Sequence, residues 1–404
     1  MVVRRCGNIV AVEPMIKYFL GYMAKFVVCM ADCLVPKDPS LWLFYITPRT
    51  VWDANMQCVF ALAREDNTLR CFICHHHPKS IPDLPQVPCL KLFSVAGLWH
   101  CFRAGVILFD HAVVPGISKR RRQCINLWHG VPIKRIRFFC PQNFPFGYLA
   151  QQRRATSWLI ASSAVDRLAM IAGFQVQPQQ VQTTGLPRND LLTSIEPFVG
   201  ALPYLKDEQK RLRQLLQGRK LILYAPTYRD PKTEEEKKSG SADASSQHYF
   251  SEILRKHNAV LGLREHVYSS TSDFSVMEEH GVIVHLSAEE FTNTNLLLQA
   301  VDVLITDYSS IWVDFLLLER PVIGYCPDFT SYAVEWGFIY DFKEVFPGPL
   351  VETLQEVAQK IDQVCTGSWT VPDKQKIICR MFHKYRDGKS SERVLRGILH
   401  GHGR

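Results

Sequence analysis

The chain has 404 residues, a formal net charge of +8 and an apolar content of 47%. This length is too great for one compact core, so we expect two domains. The apolar content excludes a largely disordered protein. Thirteen cysteines without a regular spacing are typical of reduced thiols in a cytosolic protein and not of a disulfide framework.

The positive charge is concentrated in one region. Residues 111–165 contain no Asp or Glu and nine cations, which leaves 38 bases against 39 acids in the rest of the chain. The nine are Lys119, Arg120, Arg121, Arg122, Lys134, Arg135, Arg137, Arg153 and Arg154. Such a region attracts a polyanion, an anionic membrane surface or a phosphate-bearing substrate, and a merely solvated basic face is the alternative.

The pattern of apolar and charged residues in the first 35 positions predicts an amphipathic helical segment. Residues 15–35 are mostly apolar and aromatic, but Lys17, Lys25 and Asp32 interrupt them. Charges in mid-span disfavour a transmembrane helix. The pattern fits a helix lying on a membrane surface and fits equally a helix packed on the protein. No small-residue cleavage site follows, so we expect no secretory signal.

From residue 36 onward, predicted strands alternate with predicted helices. The strands are short apolar runs of the kind that a parallel sheet buries on both faces. They fall at residues 41–46, 70–74, 106–109, 125–128, 158–161, 221–225, 260–263, 282–285, 303–305 and 322–325. Helices are predicted at residues 54–64, 164–172 and 249–257.

This alternation predicts an α/β fold, GT-B-like, with two doubly wound Rossmann-like domains facing a cleft. We expect an N-terminal segment (1–35), an N-terminal domain (36–190), a C-terminal domain (191–375) and a C-terminal helix (376–404). Ligands of such folds bind beyond the carboxyl ends of the strands, so functional residues should follow strands directly.

One strand end predicts a phosphate site. The apolar run Val303–Ile305 precedes a polar loop and a serine pair, Ser309 and Ser310, which are good helix N-cap residues. The unpaired N–H groups of a first helical turn attract an anionic phosphate. The site suits a nucleotide-type ligand.

A histidine follows another strand, in the motif Leu127-Trp128-His129-Gly130 with Lys134 further on. An imidazole of near-neutral pKa can take a proton from a hydroxyl nucleophile. Gly130 allows close approach of a ligand to the backbone. A core histidine with a satisfied hydrogen bond is an equally good interpretation of the motif alone.

Two motifs offer phosphate-binding side chains. Arg264 and His266 are two apart at a strand end, so they share a face, although an Arg264–Glu265 pair is the structural alternative. After the strand at 221–225, Thr227 and Arg229 are further candidates for phosphate contact.

The turn Gly185-Leu186-Pro187 near the domain junction is followed by Arg188 and Asp190. Arg188 could clamp a phosphate, and Asp190 could orient it. A turn with a capping Asp before a helix is the favoured alternative for this hexapeptide alone.

A rival constellation consists of Cys71, Cys74, His75, His76 and His77. A second ligand pair is missing, and three adjacent histidines cannot all face one metal ion. We therefore expect no metal site.

Taken together, these motifs resemble the CDP-glycerol glycerophosphotransferase family, which makes teichoic acids and related capsule polymers. Five of them occur in register from residue 127 to residue 310, and the Pro347-Gly348-Pro349 and Asp387-Gly388-Lys389 segments extend the similarity to the C-terminus.

The resemblance implies transfer of a polyol phosphate from a CDP-activated donor to a hydroxyl of a lipid-linked or polymeric acceptor, with release of CMP. It implies that His129 is the catalytic base and that His266 contacts the donor phosphate. Ser309 and Ser310 would hold the pyrophosphate, and Asp314 would face the ribose.

Further expectations concern the surroundings of this site. Arg188 and Asp190 would line the cleft, and Gly130, Lys134, Arg135, Arg120 and Arg121 would form the acceptor side. The donor would be CDP-glycerol, CDP-ribitol or a related compound, with no cofactor. Glu265 and the Trp336-Gly337-Phe338 segment depart from the family pattern, which leaves the polyol open. We expect a peripheral enzyme on the cytoplasmic face of an anionic membrane.

Two other functions remain open at this point. A GT-B sugar transferase or sugar-nucleotide epimerase would release UDP in place of CMP. A nucleic-acid-binding protein would use the basic run from Lys119 to Arg122, but surface aromatics are not interleaved with it, so we expect no nucleic-acid partner.

Overall fold

The computed structural model describes residues 26–47, 52–76, 88–114, 116–145, 147–227, 243–264 and 274–401. Within them the chain forms two parallel sheets, each in a doubly wound α/β arrangement. The predicted fold class is confirmed.

The first sheet has seven strands in the order β3-β2-β1-β4-β5-β6-β7, all paired in parallel. The strands are β1 (Asp38–Ile46), β2 (Arg70–His75), β3 (Cys89–Lys91), β4 (Ala104–Phe109), β5 (Gln123–Asn126), β6 (Trp158–Ala161) and β7 (Val181–Thr183).

The second sheet has six strands in the order β10-β9-β8-β11-β12-β13, again all parallel. The strands are β8 (Lys220–Ala225), β9 (Ala259–Leu263), β10 (Ile283–His285), β11 (Val301–Thr306), β12 (Val322–Tyr325) and β13 (Leu350–Val351).

The helices lie between the strands along the chain. The helices that precede β8 are α1 (Ala54–Ala63), α2 (Val95–Arg103), α3 (Tyr148–Ala155), α4 (Ala164–Phe174), α5 (Glu196–Val199) and α6 (Tyr204–Leu216). The helices that follow β8 are α7 (Ala244–Lys256), α8 (Ser275–Glu279), α9 (Thr294–Leu298), α10 (Ile311–Phe315), α11 (Phe329–Glu335), α12 (Phe342–Val345), α13 (Leu354–Cys365), α14 (Asp373–Phe382) and α15 (Ser390–Leu399).

Burial explains why the strand prediction succeeded for the central strands. Every residue of β4, β6 and β9 is buried, because helices cover both faces of a parallel sheet. The edge or near-edge strands β3, β7 and β13 were not predicted. They have two or three residues and are partly exposed, so they carry no apolar run.

The first sheet with its helices forms the first lobe, and the second sheet with its helices forms the second lobe. The C-terminal helices α14 and α15 return to the first lobe. Ser162 donates to the Phe382 carbonyl oxygen at 2.6 Å, and Gln123 donates to that of Ile398 at 2.9 Å. Helix α15 packs on α1 and on the 3-10 helix Pro187–Leu192. This crossing holds the two lobes together, with the carboxyl ends of their strands near each other.

The segment 26–34 is helical and is fixed to the first lobe by one buried carboxylate. Asp32 is 1% exposed and accepts hydrogen bonds from Lys37, Ser118 and Arg122. Arg122, which we had counted in the basic run, is therefore a buried structural residue, because its guanidinium neutralises Asp32. In the described part of the chain, no helix combines the length and the apolarity needed to cross a bilayer.

Candidate active site

His129 lies in a strained turn directly after β5. Trp128 has φ +46° and Gly130 has φ +134°, so left-handed residues flank the histidine on both sides. A Cβ at Gly130 would lie 2.5 Å from Nη2 of Arg188. Position 130 therefore favours glycine for its backbone conformation, and a side chain there would displace the Arg188 guanidinium.

The imidazole of His129 packs against two rings. The His111 ring is stacked on it with centroids 4.2 Å apart and planes inclined by 8°, and the Trp128 ring lies 3.9 Å away. Burial lowers the pKa of His129 well below its usual value, and the cations or potential cations His111, Arg188, Arg137 and Lys134 lower it further. The ring is therefore neutral at physiological pH, as a general base must be.

Arg188 connects His129 to the second lobe. Its Nη1 donates to the His129 carbonyl oxygen at 2.6 Å, and its Nη2 lies 2.5 Å from a carboxylate oxygen of Asp314 on α10. Asp314 is 2% exposed. The structure thus brings together three predicted site residues from two lobes. The ribose contact predicted for Asp314 stays a prediction.

The predicted phosphate loop lies at the end of β11, beside the loop that follows β8. Asp307 accepts hydrogen bonds from the backbone N–H groups of Thr227 at 2.7 Å and Ser309 at 3.3 Å, which places these two loops side by side. The Thr227 hydroxyl is buried without a hydrogen-bond partner among the described residues. A ligand oxygen at this position would satisfy it.

The helix after the serine pair is short. Helix α10 has five residues and continues as the 3-10 helix Leu316–Leu318. Ser310 makes no side-chain cap bond. Because so short a helix aligns few peptide dipoles, its contribution to anion binding is smaller than the sequence motif suggested.

Two predicted phosphate ligands have structural partners. Asp190 accepts from the backbone N–H groups of Ser390 and Ser391 at 2.8 and 2.7 Å, so it holds the start of α15. Arg264 donates to the carbonyl oxygens of Leu286 and Ser287, both at 3.0 Å. Burial lowers the pKa of Arg264 to about 10. Contacts of either residue with the donor stay predictions.

The residues predicted for the acceptor side are divided between two places. Lys134 and Arg135 lie where the lobes meet: Lys134 donates to the Tyr332 hydroxyl at 3.3 Å, and the Arg135 N–H donates to the Gly337 carbonyl oxygen at 3.4 Å. Arg120 and Arg121 are exposed and precede β5, whereas His129 follows it. A four-residue strand is about 13 Å long, so these two arginines lie at the amino end of β5, whereas His129 lies beyond its carboxyl end.

Two other predictions, for Arg229 and His266, fall outside the described residues. Among the described residues, no group of three His, Cys, Asp or Glu side chains is placed to hold a metal ion. In the rival cysteine–histidine motif, Cys74 lies 4.0 Å (Sγ to Sγ) from Cys101, and His76 is hydrogen-bonded to Tyr45; His77 is outside the described residues.

Sequence reasoning missed three residues of this site. His111 follows β4, so the rule that functional residues follow strands covers it, but no motif singled it out. Asn55 and Asp166 lie at the starts of α1 and α4, where nothing in their local sequence distinguishes them from ordinary helix-start residues.

Asp166 is buried, and burial raises the pKa of its carboxyl from 3.8 to about 7. The folded protein therefore holds a proton there that the unfolded chain releases above pH 4, so this group makes stability fall as pH rises toward about 7. We expect Asp166→Asn, which keeps an oxygen for the Ser162 N–H bond, to be more stable than the natural protein at about pH 8 and to lose this advantage near pH 5.

Urea midpoints measured across that pH range test the prediction. The exposed Asp373→Asn variant is the control and should follow the natural protein. Parallel curves for Asp166→Asn and the natural protein would show that this carboxyl is ionised in the folded state throughout.

Known proteins resemble most of the chain. A model of the family "CDP-Glycerol:Poly(glycerophosphate) glycerophosphotransferase" matches residues 27–400. The teichoic acid poly(glycerol phosphate) polymerase of Bacillus spizizenii is 25% identical over 91% of this chain and 93% of its own length. The teichoic acid glycerol-phosphate transferase of Staphylococcus aureus is 28% identical over 78% of this chain and 81% of its own.

Solved structures agree on the fold. The wall teichoic acid polymerase TagF superimposes with a TM-score of 0.75 at 18% identity, over 98% of this chain and 99% of that chain. A UDP-GlcNAc 2-epimerase from Neisseria meningitidis gives a TM-score of 0.51 at 11% identity, over 91% of this chain and 100% of its own. The family match favours the transferase over the epimerase: the chain is an enzyme that belongs to the CDP-glycerol:poly(glycerophosphate) glycerophosphotransferase family.

Proposed function

We propose that the protein transfers glycerol phosphate from CDP-glycerol to a hydroxyl of a lipid-linked or polymeric acceptor, with His129 as the general base. The observation that carries this proposal is a neutral imidazole in a strained turn, connected through Arg188 to Asp314 on helix α10 of the second lobe, which follows the loop where the donor is expected. The relatives' names also support it, since they include glycerol-phosphate and ribitol-phosphate enzymes.

The chemistry is an in-line displacement at the β-phosphorus of the donor. The acceptor oxygen forms a bond to this phosphorus while its proton passes to His129. The bond from phosphorus to the CMP oxygen breaks, and CMP leaves with the electron pair. Thr227 and the Ser309–Ser310 loop would hold the diphosphate, because hydroxyl and N–H donors stabilise the charge that develops on CMP.

A donor panel tests the reaction. The full chain is incubated with CDP-glycerol, CDP-ribitol or a UDP-sugar, with and without a lipid-linked acceptor, and the released nucleotide is identified. We expect acceptor-dependent CMP release with CDP-glycerol. Faster CMP release from CDP-ribitol would identify ribitol phosphate as the transferred group. Release of UDP would favour the sugar-transferase alternative.

We further propose that the first lobe rests on an anionic membrane surface. The outer face of segment 26–34 exposes Phe26, Val27, Met30 and Leu34, each by about half or more. Lys119, Arg120 and Arg121 are exposed on the adjoining loop, which Ser118 joins to Asp32 at 3.1 Å. An apolar face beside clustered cations is the pattern of a helix lying in the headgroup region.

Neutralising that loop should weaken membrane binding. We expect Lys119→Gln/Arg120→Gln/Arg121→Gln to bind phosphatidylglycerol vesicles roughly 100-fold more weakly, at about 1 kcal/mol per basic residue. Vesicle co-sedimentation at low salt measures the affinity of each protein for the vesicles.

The matched control removes three exposed charges from α6, as Lys206→Gln/Lys210→Gln/Arg213→Gln. Equal losses for the two triple variants would mean that total charge alone drives binding. Unchanged binding of the first variant would remove the loop from the membrane contact.

A further inference from the structure

The strained turn around His129 needs side chains that hold it. Positive φ at a bulky residue such as Trp128 is costly, and such backbone persists only where neighbouring groups determine it. Arg188 holds the His129 carbonyl oxygen, as described above. A second group holds the residues immediately before it.

That second group is the side-chain amide of Asn55, at the first turn of α1. Its Nδ2 donates to the carbonyl oxygen of Trp128 at 2.9 Å and to that of Leu127 at 3.3 Å. Its Oδ1 accepts from the backbone N–H of Arg188 at 3.0 Å. Asn55 is fully buried, so water does not compete for these bonds.

Asn55 thus joins the two segments that meet at His129. The loop after β5 carries the imidazole, and the turn after β7 carries Arg188. Only a side chain with both donors and an acceptor can satisfy two carbonyl oxygens and one N–H at once, and a short amide provides them in this space. The adjacent Asp53, which caps α1 by accepting from the Asn55 N–H at 2.8 Å, fixes the start of the helix.

We infer that Asn55 is a positioning residue for the transfer reaction: it sets the place of the His129 imidazole through the Trp128 carbonyl and the Arg188 backbone. The inference rests on the proposed role of His129. A displacement of about 1 Å in a reacting group can lower activity by about 100-fold, so we expect an effect of up to that order.

Helix α1 supplies a matched control. Gln57 is also a buried amide, 1% exposed, and its side chain makes three bonds. It donates to the Trp52 carbonyl oxygen at 2.6 Å, and it accepts from the Tyr204 hydroxyl at 2.8 Å and from the Asn293 side-chain amide at 3.1 Å. None of these partners is a residue that we place in the site. Gln57→Ala should therefore cost stability comparable to that lost in Asn55→Ala without displacing His129.

The experiment compares Asn55→Ala, Asn55→Asp and Gln57→Ala in the full chain. Asn55→Asp keeps an oxygen for the Arg188 N–H, and when ionised it lacks the donors for the two carbonyls. We expect both Asn55 variants to lower kcat for CMP release about 10–100-fold, with KM for CDP-glycerol changed by less than about threefold. Gln57→Ala should keep kcat within about threefold of the natural protein, although its melting temperature should fall as far as that of Asn55→Ala.

A second readout does not depend on turnover. Diethyl pyrocarbonate acylates neutral imidazoles, and mass spectrometry gives its rate at His129. Loss of the Asn55 bonds should raise this rate because the ring leaves its stack on His111 and its contact with Trp128, whereas Gln57→Ala should not change it. A changed labelling rate with no CMP release from any variant would uphold the positioning role while the proposed reaction fails.

Two results would overturn the inference. One is a kcat for the Asn55 variants within about twofold of the natural protein. The other is a loss of kcat in Gln57→Ala as large as that in Asn55→Ala, with equal labelling of His129, because the effect would then follow general stability.

Discussion

His129→Ala should lower the turnover of CDP-glycerol by about 10²–10⁴-fold, the usual contribution of a positioned general base. The folded state should change little. The Nδ1 of the imidazole is buried and has no hydrogen-bond partner among the described residues, so the substitution breaks no hydrogen bond of that atom. The measurement is CMP release under saturating donor and acceptor, with a melting curve of the same preparation.

His285→Ala is a suitable control, because His285 is an exposed histidine of the second lobe whose imidazole faces Glu278. It should retain full activity. Turnover of His129→Ala within about tenfold of the natural protein would exclude His129 as the base.

The pH dependence of kcat/KM tests the assignment of His129 as the base independently. Since the pKa of His129 is lowered below 6.5, the base stays neutral as the pH falls through that value. We therefore expect the acid limb of kcat/KM to lie below pH 6.5. The limb should disappear in His129→Ala.

Arg188→Ala should be the most destabilising single substitution in the site. It leaves the Asp314 carboxylate buried and unpaired, since the other oxygen of this carboxylate has no partner among the described residues. Removing one member of a buried ion pair costs about 3–5 kcal/mol. Urea unfolding measures this free energy, and activity should fall with it because the His129 carbonyl loses its donor.

Arg386→Ala is the matched control, because Arg386 pairs with Glu319 while both side chains are about half exposed. An exposed pair contributes about 0–1 kcal/mol. Adding Asp314→Asn to Arg188→Ala should restore part of the lost stability, since the unpaired charge is then gone. A loss in Arg188→Ala no larger than in the control would mean that Asp314 finds water or another partner.

The sequence predicted the central strands because a parallel sheet buries both faces of a strand and so requires continuous apolar runs. It also located His129, Thr227 and Ser309 correctly at the ends of strands, where side chains of parallel sheets are free to contact ligands. Both signals are local, extending over fewer than about ten residues.

The contacts of the charged residues could not be predicted in this way. Arg122 and Asp190 belong to motifs that suggested anion binding or ligand contact, but the fold gives Arg122 to Asp32 and gives Asp190 to the start of α15. Whether a charge binds a ligand or a neighbour depends on which opposite group is buried beside it, and that group can be far away in the chain.

The sequence by itself determined the family, the alternation of strands and helices, and the strand ends at which the chemistry is expected. Only the tertiary structure decided that Arg188 meets Asp314 and that Asn55 holds the turn of His129. These pairs join residues that are more than 70 positions apart. Their contact is set by how the two lobes and the C-terminal helices pack, which no local pattern of residues records.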